Sequence, residues 1–233
     1  MADVTPTAAV VVAALRAAQA DPELANIRKR IAPDEPAIGV RMGTLFQIAK
    51  SHQAMALDEV EALLDHPAYE PRMAAFCILD FQARKKLDPS QRRTLCDTYL
   101  RRHDAITAWD MVDRAAPRVV GAHLATQNDI TPLHELAAAG DPLRRRTAIT
   151  APLGFLVDAP LRAEAFDIAA CLAADPEPVA HNAVGIFLKH AGSRDPDALH
   201  RFLDEHAGTM PRPALRLAIE KLDPADRDRY LGR

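Results

Sequence analysis

Trp109 and Asp113, two side chains that could take part in a reaction, lie one helical turn apart in the segment 108–117. This segment reads Ala-Trp-Asp-Met-Val-Asp-Arg-Ala-Ala-Pro. Trp109 and Asp113 are residues i and i+4, so they share one face of a helix. An indole face and a carboxylate both stabilise positive charge. Asp104 is placed to cap the start of this helix. The apolar residues of its opposite face are predicted to enter the core: Met111, Val112 and Ala115.

Basic residues concentrate locally, although the net charge of the chain is −3. Residues 84–118 contain nine Lys and Arg against five Asp, a local charge of +4, and three consecutive arginines follow at 144–146. Each cluster alone is as well explained by a solvated helix face. If several clusters lie on one surface, they predict a groove that binds phosphates.

One register position recurs along the chain at intervals of 35 to 37 residues. It is occupied by Arg72, Trp109, Arg146, His181 and Arg216. A period near 35 residues is typical of arrays of helix pairs such as HEAT repeats. The sequence therefore predicts an all-α superhelix of about six helix pairs, forming a single HEAT-like domain over residues 1–233.

Prolines near these positions indicate where helices begin, because the N–H that proline lacks is unpaired there in any case. The dipeptides predicted to start helices are His66-Pro67, Asp141-Pro142 and Asp175-Pro176. The apolar stretch at residues 8–15 ends at Arg16 and is too short to span a bilayer, so it predicts the buried face of a first helix. A membrane partner is not expected.

The three cysteines are far apart, without the Cys or Cys/His spacing of a zinc site. A disulfide framework is therefore not expected, and a reducing cytoplasm fits best. The sequence implies no metal and no cofactor.

Several phrases together resemble the AlkD family of DNA-alkylation-repair glycosylases, from about Leu24 to Leu231. The similar phrases are Trp109-Asp110-x-Val112-Asp113 with Ala116-Pro117, Tyr69-Glu70-Pro71-Arg72-Met73 with Leu79-Asp80, Gly39-Val40-Arg41 with Ile48-Ala49-Lys50, Arg145-Arg146-x-Ala148-Ile149, and Ala183-Val184-Gly185 with Leu188-Lys189.

This resemblance implies hydrolysis of the N-glycosidic bond of cationic purines such as 3-methyladenine and 7-methylguanine, with bulkier adducts also possible substrates. It implies that double-stranded DNA is held on a concave helical surface, without the base flipping that glycosylases generally use. The catalytic residues would be Trp109, Asp113 and Arg146. Residues expected to bind DNA are Arg72, Arg114, Arg118, Arg144, Arg145, His181 and Lys189. A cytoplasmic, nucleoid-associated monomer is expected.

The chain departs from the family pattern at Ile186, which stands where the family carries a second tryptophan. Residues 25–30 also lack the aromatic side chain that the family shows near its N-terminal helix pair, so the aromatic frame around the lesion is reduced to Trp109. This reduction either widens the substrate range or abolishes excision. Two alternatives therefore stay open at this point. One is a DNA-binding protein without catalysis, and the other is a helical scaffold that binds proteins.

Overall fold

The computed structural model describes residues 6–232, and it divides the chain into two compact units, Met1–Ala115 and Ala116–Arg233. The described part is built from α-helices, so the predicted all-α, HEAT-like fold is confirmed. The single domain predicted for residues 1–233 stays a prediction, and residues 1–5 and 233 lie outside the described residues.

Unit 1 contains the helices from the first apolar stretch to the Trp109 segment. They are α1 (Ala8–Ala17), α2 (Asp21–Ile27), α3 (Met42–Ser51), α4 (Leu57–Leu64), α5 (Tyr69–Ala83), α6 (Pro89–Arg101) and α7 (Trp109–Ala116). A 3₁₀ turn at His103–Ala105 lies between α6 and α7, and the last residue of α7, Ala116, is the first residue of unit 2. Helix α5 is the centre of this unit, since α1, α3, α4 and α6 all pack against it. The predicted first helix is confirmed, with Val11 and Leu15 fully buried.

The core position of α5 explains why it carries two carboxylates at 0 % exposure, Glu70 and Asp80. Glu70 accepts the backbone N–H groups of Ile38 at 2.8 Å, Gly39 at 2.6 Å and Val40 at 3.3 Å. These bonds satisfy the buried charge and fix the segment between α2 and α3 to the start of α5.

Unit 2 begins with a π-helical turn at Pro117–Gly121 and contains the remaining helices. They are α8 (Ala122–Gln127), α9 (Thr131–Ala137), α10 (Pro142–Thr150), α11 (Ala159–Cys171), α12 (Pro178–Gly192), α13 (Pro196–His206), α14 (Arg212–Ala218) and α15 (Pro224–Leu231), with a 3₁₀ turn at Ala151–Gly154. The helices form two layers, because α10, α12 and α14 pack side by side and α9, α11 and α13 form a second row.

This layering accounts for the sequence period in unit 2. Arg146, His181 and Arg216 lie on α10, α12 and α14, which are neighbours in one layer, as the common register predicts. Helix α10 begins at Pro142, as the dipeptide Asp141-Pro142 predicted, and Asp141 caps it by accepting the N–H of Leu143 at 2.8 Å.

The other two predicted helix starts are wrong by two residues or more. Helix α5 begins at Tyr69 and α12 begins at Pro178. Asp175 does not cap α12, because its carboxylate accepts the N–H of Glu177 at 2.8 Å within the preceding turn and binds Arg145. No helix within residues 6–232 has both the length and the apolar character needed to cross a membrane.

Candidate functional site

Helix α7 presents the two side chains that the sequence analysis singled out. Trp109 is its first residue and is 40 % exposed, although tryptophan is a large apolar side chain. Asp113 is half-buried one turn further along, on the same face by its spacing. The residues predicted to enter the core are fully buried, which confirms that part of the pattern: Met111, Val112 and Ala115.

Different interactions set the first and the last residue of helix α7. Its N-terminus is not capped by Asp104, which was predicted to do so, because Asp104 lies five residues earlier in the 3₁₀ turn. The first turn is closed instead by the N–H of Met111, which donates to the carbonyl of Ala108 at 3.2 Å. The helix gives way to the π turn at Pro117, which has no N–H to continue the α-helical ladder.

Two residues before Trp109, Thr107 reaches a buried carboxylate. Its hydroxyl donates to Oε1 of Glu35 at 2.7 Å, and the same oxygen accepts the guanidinium of Arg72. The side chains of Glu35 and Arg72 are only 7 % and 11 % exposed. We call Glu35, Arg72 and Thr107 the Glu35 cluster. Arg72, expected to bind DNA, is therefore an ion-pair partner inside unit 1, and its role in DNA binding stays a prediction.

A second buried carboxylate directly follows Trp109. Oδ2 of Asp110 accepts the hydroxyl of Tyr69 at 2.6 Å and pairs with Nη1 of Arg30 at 3.3 Å. Burial, together with the charge of Asp110, raises the pKa of Tyr69 above its ordinary value, so the hydroxyl keeps its proton to donate. We call Asp110, Tyr69 and Arg30 the Asp110 cluster.

Sequence reasoning did not predict either cluster. The family resemblance drew attention to Tyr69 and Arg72 on α5, but their partners lie 37 to 41 residues away. Pairings at that distance leave no periodic signal in one sequence.

Arg114, expected to bind DNA, is held by the core of unit 1. Its guanidinium donates to Asp80 at 2.8 Å and lies 4.7 Å from the ring centres of both Phe46 and Phe81. Asp80 is 0 % exposed and also accepts Arg84 at 2.7 Å. The arginine next to Asp113 thus joins α7 to α5, and a phosphate contact by it stays a prediction.

The arginines of α10 lie in unit 2 and differ in exposure. Arg146, the third predicted catalytic residue, is 4 % exposed and donates to the carbonyl of Val179. Arg145 pairs with Asp175 at 2.6 Å and donates to two backbone carbonyls. Arg144 is the most exposed of the three, with 39 % of its side chain accessible and Asp141 at 3.9 Å.

The Arg145–Asp175 pair is a structural ion pair rather than a free charge. Burial opposes ionisation of Asp175, but the hydrogen bond from Arg145 and the N–H of Glu177 outweigh it and lower the pKa of this carboxyl. The hydrogen bond with Asp175 correspondingly raises the pKa of Arg145. His181 contacts the carbonyl of Asp175 at 2.8 Å.

The remaining predicted site residues also lie in unit 2. Lys189 pairs with Glu220 at 3.2 Å, and its side chain is 16 % exposed. Arg118 is exposed in the π turn. Ile186 is half-buried on α12 and is aliphatic, where the family pattern has a second tryptophan.

Comparison with known proteins decides the family. A family model described as DNA alkylation repair enzyme matches residues 11–222. The chain belongs to this family. A solved structure, "Predicted DNA alkylation repair enzyme from Enterococcus faecalis", is similar with a TM-score of 0.67 at 15 % identity, over 88 % of this chain and 98 % of that one. None of the curated proteins compared matches the chain.

Membership of the DNA alkylation repair enzyme family confirms the predicted resemblance and indicates DNA as the substrate. The similar solved structure supports the all-helical fold only, because its identity to this chain is low.

Proposed function

We propose that this protein is an N-glycosylase that hydrolyses the N-glycosidic bond of cationic alkylated purines in double-stranded DNA. The observation that carries the proposal is an exposed indole with a carboxylate one turn away on α7, in a chain of the DNA alkylation repair enzyme family. Trp109 is 40 % exposed and Asp113 is not buried, so both are accessible to a ligand.

The chemistry suits these two side chains. When the bond between C1′ and the purine nitrogen breaks, its electrons neutralise the cationic base and leave positive charge on the deoxyribose, as in glycoside hydrolysis. Asp113 stabilises that charge and takes the proton of the water whose oxygen bonds to C1′. The face of Trp109 stabilises the same cation through its quadrupole.

The size of the carboxylate effect limits the substrate. A carboxylate about 4 Å from a unit charge, at an effective dielectric of ~20, contributes roughly 4 kcal/mol, or about a thousandfold in rate. That suffices for a cationic leaving group that departs readily, and it is too little for an unmodified purine. Selectivity for 3-methyl- and 7-methylpurines, and for bulkier cationic adducts, then follows from the lability of the lesion.

The position of Trp109 supports a reaction on a helical surface without base flipping. A cleft of about 340 Å³ in unit 1 is lined by residues such as Gln53, Met55 and Gln82, and neither Trp109 nor Asp113 belongs to its lining. An exposed indole at a helix start can lie against a lesion that stays in the duplex. With Ile186 in place of a second aromatic, that contact would tolerate larger adducts.

Arg146 enters the proposal as a binding residue rather than as part of the reacting group. It is 4 % exposed and donates to the carbonyl of Val179, so we assign it a phosphate contact beside the lesion and no contact with the reacting atoms. Arg144 and Arg118, the most accessible of the arginines expected to bind DNA, are proposed as further phosphate contacts.

The test is release of free base from methylated duplex DNA, with enzyme in excess over lesion. We expect Asp113→Asn to lower the single-turnover rate roughly a thousandfold. Its DNA affinity, measured at the same salt concentration, should stay within a few fold of wild type. Asp104→Asn is the matched control, since it removes an equal charge from an exposed carboxylate outside α7 and should leave the rate unchanged.

Two results would contradict the proposal. The first is wild-type protein that releases no base from either methylated or bulky adducts. Binding of DNA without base release would then favour a non-catalytic DNA-binding protein. The second is an Asp113→Asn variant that is as active as wild type, which would remove the carboxylate from the mechanism.

A further inference from the structure

The Glu35 cluster and the Asp110 cluster lie on either side of the start of α7 and contain the same kinds of group. In each, a buried carboxylate accepts one arginine and one hydroxyl: Thr107 in the Glu35 cluster, and Tyr69 in the Asp110 cluster. In both clusters, one partner comes from the segment after α2 and one from the first turn of α5. Thr107 and Asp110 bracket Trp109, so the peptide is tied to the same two segments on both sides of the indole.

We propose that Tyr69 and Thr107 are positioning residues, whose hydroxyls hold the indole of Trp109 in the orientation that glycosidic-bond cleavage needs. The inference rests on the proposed function, because it assigns these residues a part in that reaction. Neither hydroxyl touches the reacting atoms, and both act through the backbone next to Trp109.

The need for such positioning follows from the exposure of Trp109. An indole that is 40 % exposed has lost much of the packing that fixes a buried aromatic side chain. A helix start is also the part of a helix with the fewest internal hydrogen bonds. Bonds from outside the helix therefore contribute to where its first residue stands.

A nearby donor is not expected to take the place of the hydroxyl of Tyr69 or of Thr107 on its carboxylate, because both carboxylates are already short of donors. Glu35 and Asp110 are each 8 % exposed, and Oε2 of Glu35 and Oδ1 of Asp110 have no hydrogen-bond partner among the described residues. The carboxylates thus already have more acceptor capacity than the surrounding donors fill. A variant that loses one hydroxyl leaves its carboxylate with the arginine alone, and the adjacent peptide is freer to move.

The experiment compares Tyr69→Phe and Thr107→Val, each of which removes one hydroxyl at nearly constant volume. We expect each to lower the single-turnover rate of base release, by up to the roughly 100-fold that a displacement of about 1 Å can cause, with DNA affinity unchanged. Because Trp109 is the only tryptophan, its quenching by acrylamide reports its mobility directly, and we expect quenching to increase in both variants.

Tyr230→Phe is the matched control. It removes a hydroxyl in unit 2 that donates to Asp204 at 3.0 Å and contacts His200 Nδ1 at 3.0 Å, and it should change neither rate nor quenching. Thr107 is exposed, so its variant is expected to fold even if Tyr69→Phe does not.

A purely structural role predicts a different pattern. In that case the variants would melt at lower temperature, but below melting they would keep the wild-type rate and quenching, and the inference would be overturned. If the wild type releases no base, the proposed function is wrong. The quenching comparison still decides whether the two hydroxyls hold Trp109 in place. Unchanged quenching in both variants would overturn this positioning role as well.

Discussion

Replacing Asp80 by asparagine should destabilise unit 1 far more than the equivalent change at Glu61. Each carboxylate binds two arginines: Asp80 binds Arg84 at 2.7 Å and Arg114 at 2.8 Å, and Glu61 binds Arg101 and Arg102 at 2.8 and 3.3 Å. They differ in burial, since Asp80 is 0 % exposed and the side chain of Glu61 is 28 % exposed.

Burial sets the magnitude of each effect. Asp80→Asn leaves the guanidinium of Arg114, only 18 % exposed and 4.7 Å from each of two phenylalanine rings, without its counter-charge. Removing one partner of a buried ion pair costs about 3–5 kcal/mol. Glu61→Gln breaks a pair that water already solvates, and the expected loss is about 1 kcal/mol or less.

Urea unfolding, monitored by the fluorescence of Trp109, measures the loss of unfolding free energy in both variants. The only tryptophan lies in the unit that contains both carboxylates, so it reports on that unit. At a slope of about 2–3 kcal/mol per molar urea, Asp80→Asn should lower the midpoint by roughly 1–2 M. Glu61→Gln should lower it by less than about 0.5 M. Equal shifts in the two variants would refute the argument that burial decides the strength of these pairs.

Two further predictions concern close packing and pH. Gly154→Ala should destabilise unit 2 by about 3 kcal/mol or more, since its Cβ would overlap the carbonyl oxygen of Pro117. Gly140→Ala, with open space around its Cβ, should be neutral. Because both glycines lie in unit 2 and Trp109 lies in unit 1, urea unfolding of these variants is followed by far-ultraviolet circular dichroism. Hydrogen bonding to Arg101 lowers the pKa of Glu61 from 4.5 to about 2, so its stabilisation is complete above pH 4.5 and is lost as pH falls towards 2. The difference in unfolding midpoint between wild type and Glu61→Gln should therefore shrink over that interval, and a difference that grows on acidification would contradict the assignment.

Charge counting alone overstated the cations that are free to bind DNA. Arg72, Arg114, Arg145 and Lys189 each have a carboxylate partner within their own unit. Pairing of this kind lowers the positive potential that a run of basic residues suggests. Arg118, which is exposed, and Arg144, whose side chain is 39 % exposed, are more accessible than the other arginines expected to bind DNA and are therefore the stronger candidates for phosphate contacts.

The sequence by itself determined the class of the fold and the face of α7. A period of 35 to 37 residues places one helix pair in each interval, and the i, i+4 spacing of Trp109 and Asp113 puts both on one side of a helix. These are properties of local geometry, which hold whatever the rest of the chain does. The boundaries at His66 and Asp175 were missed, because a proline permits a helix start without fixing it.

Only the tertiary structure decided which charges are partnered and what holds the start of α7. The bonds of Tyr69 to Asp110 and of Thr107 to Glu35 join residues 41 and 72 positions apart. Such contacts depend on how helices and loops pack, and a single sequence carries no record of them. Burial of Arg146 has the same origin, since the repeat fixed its register but the neighbouring helix α12 supplied the carbonyl that it binds.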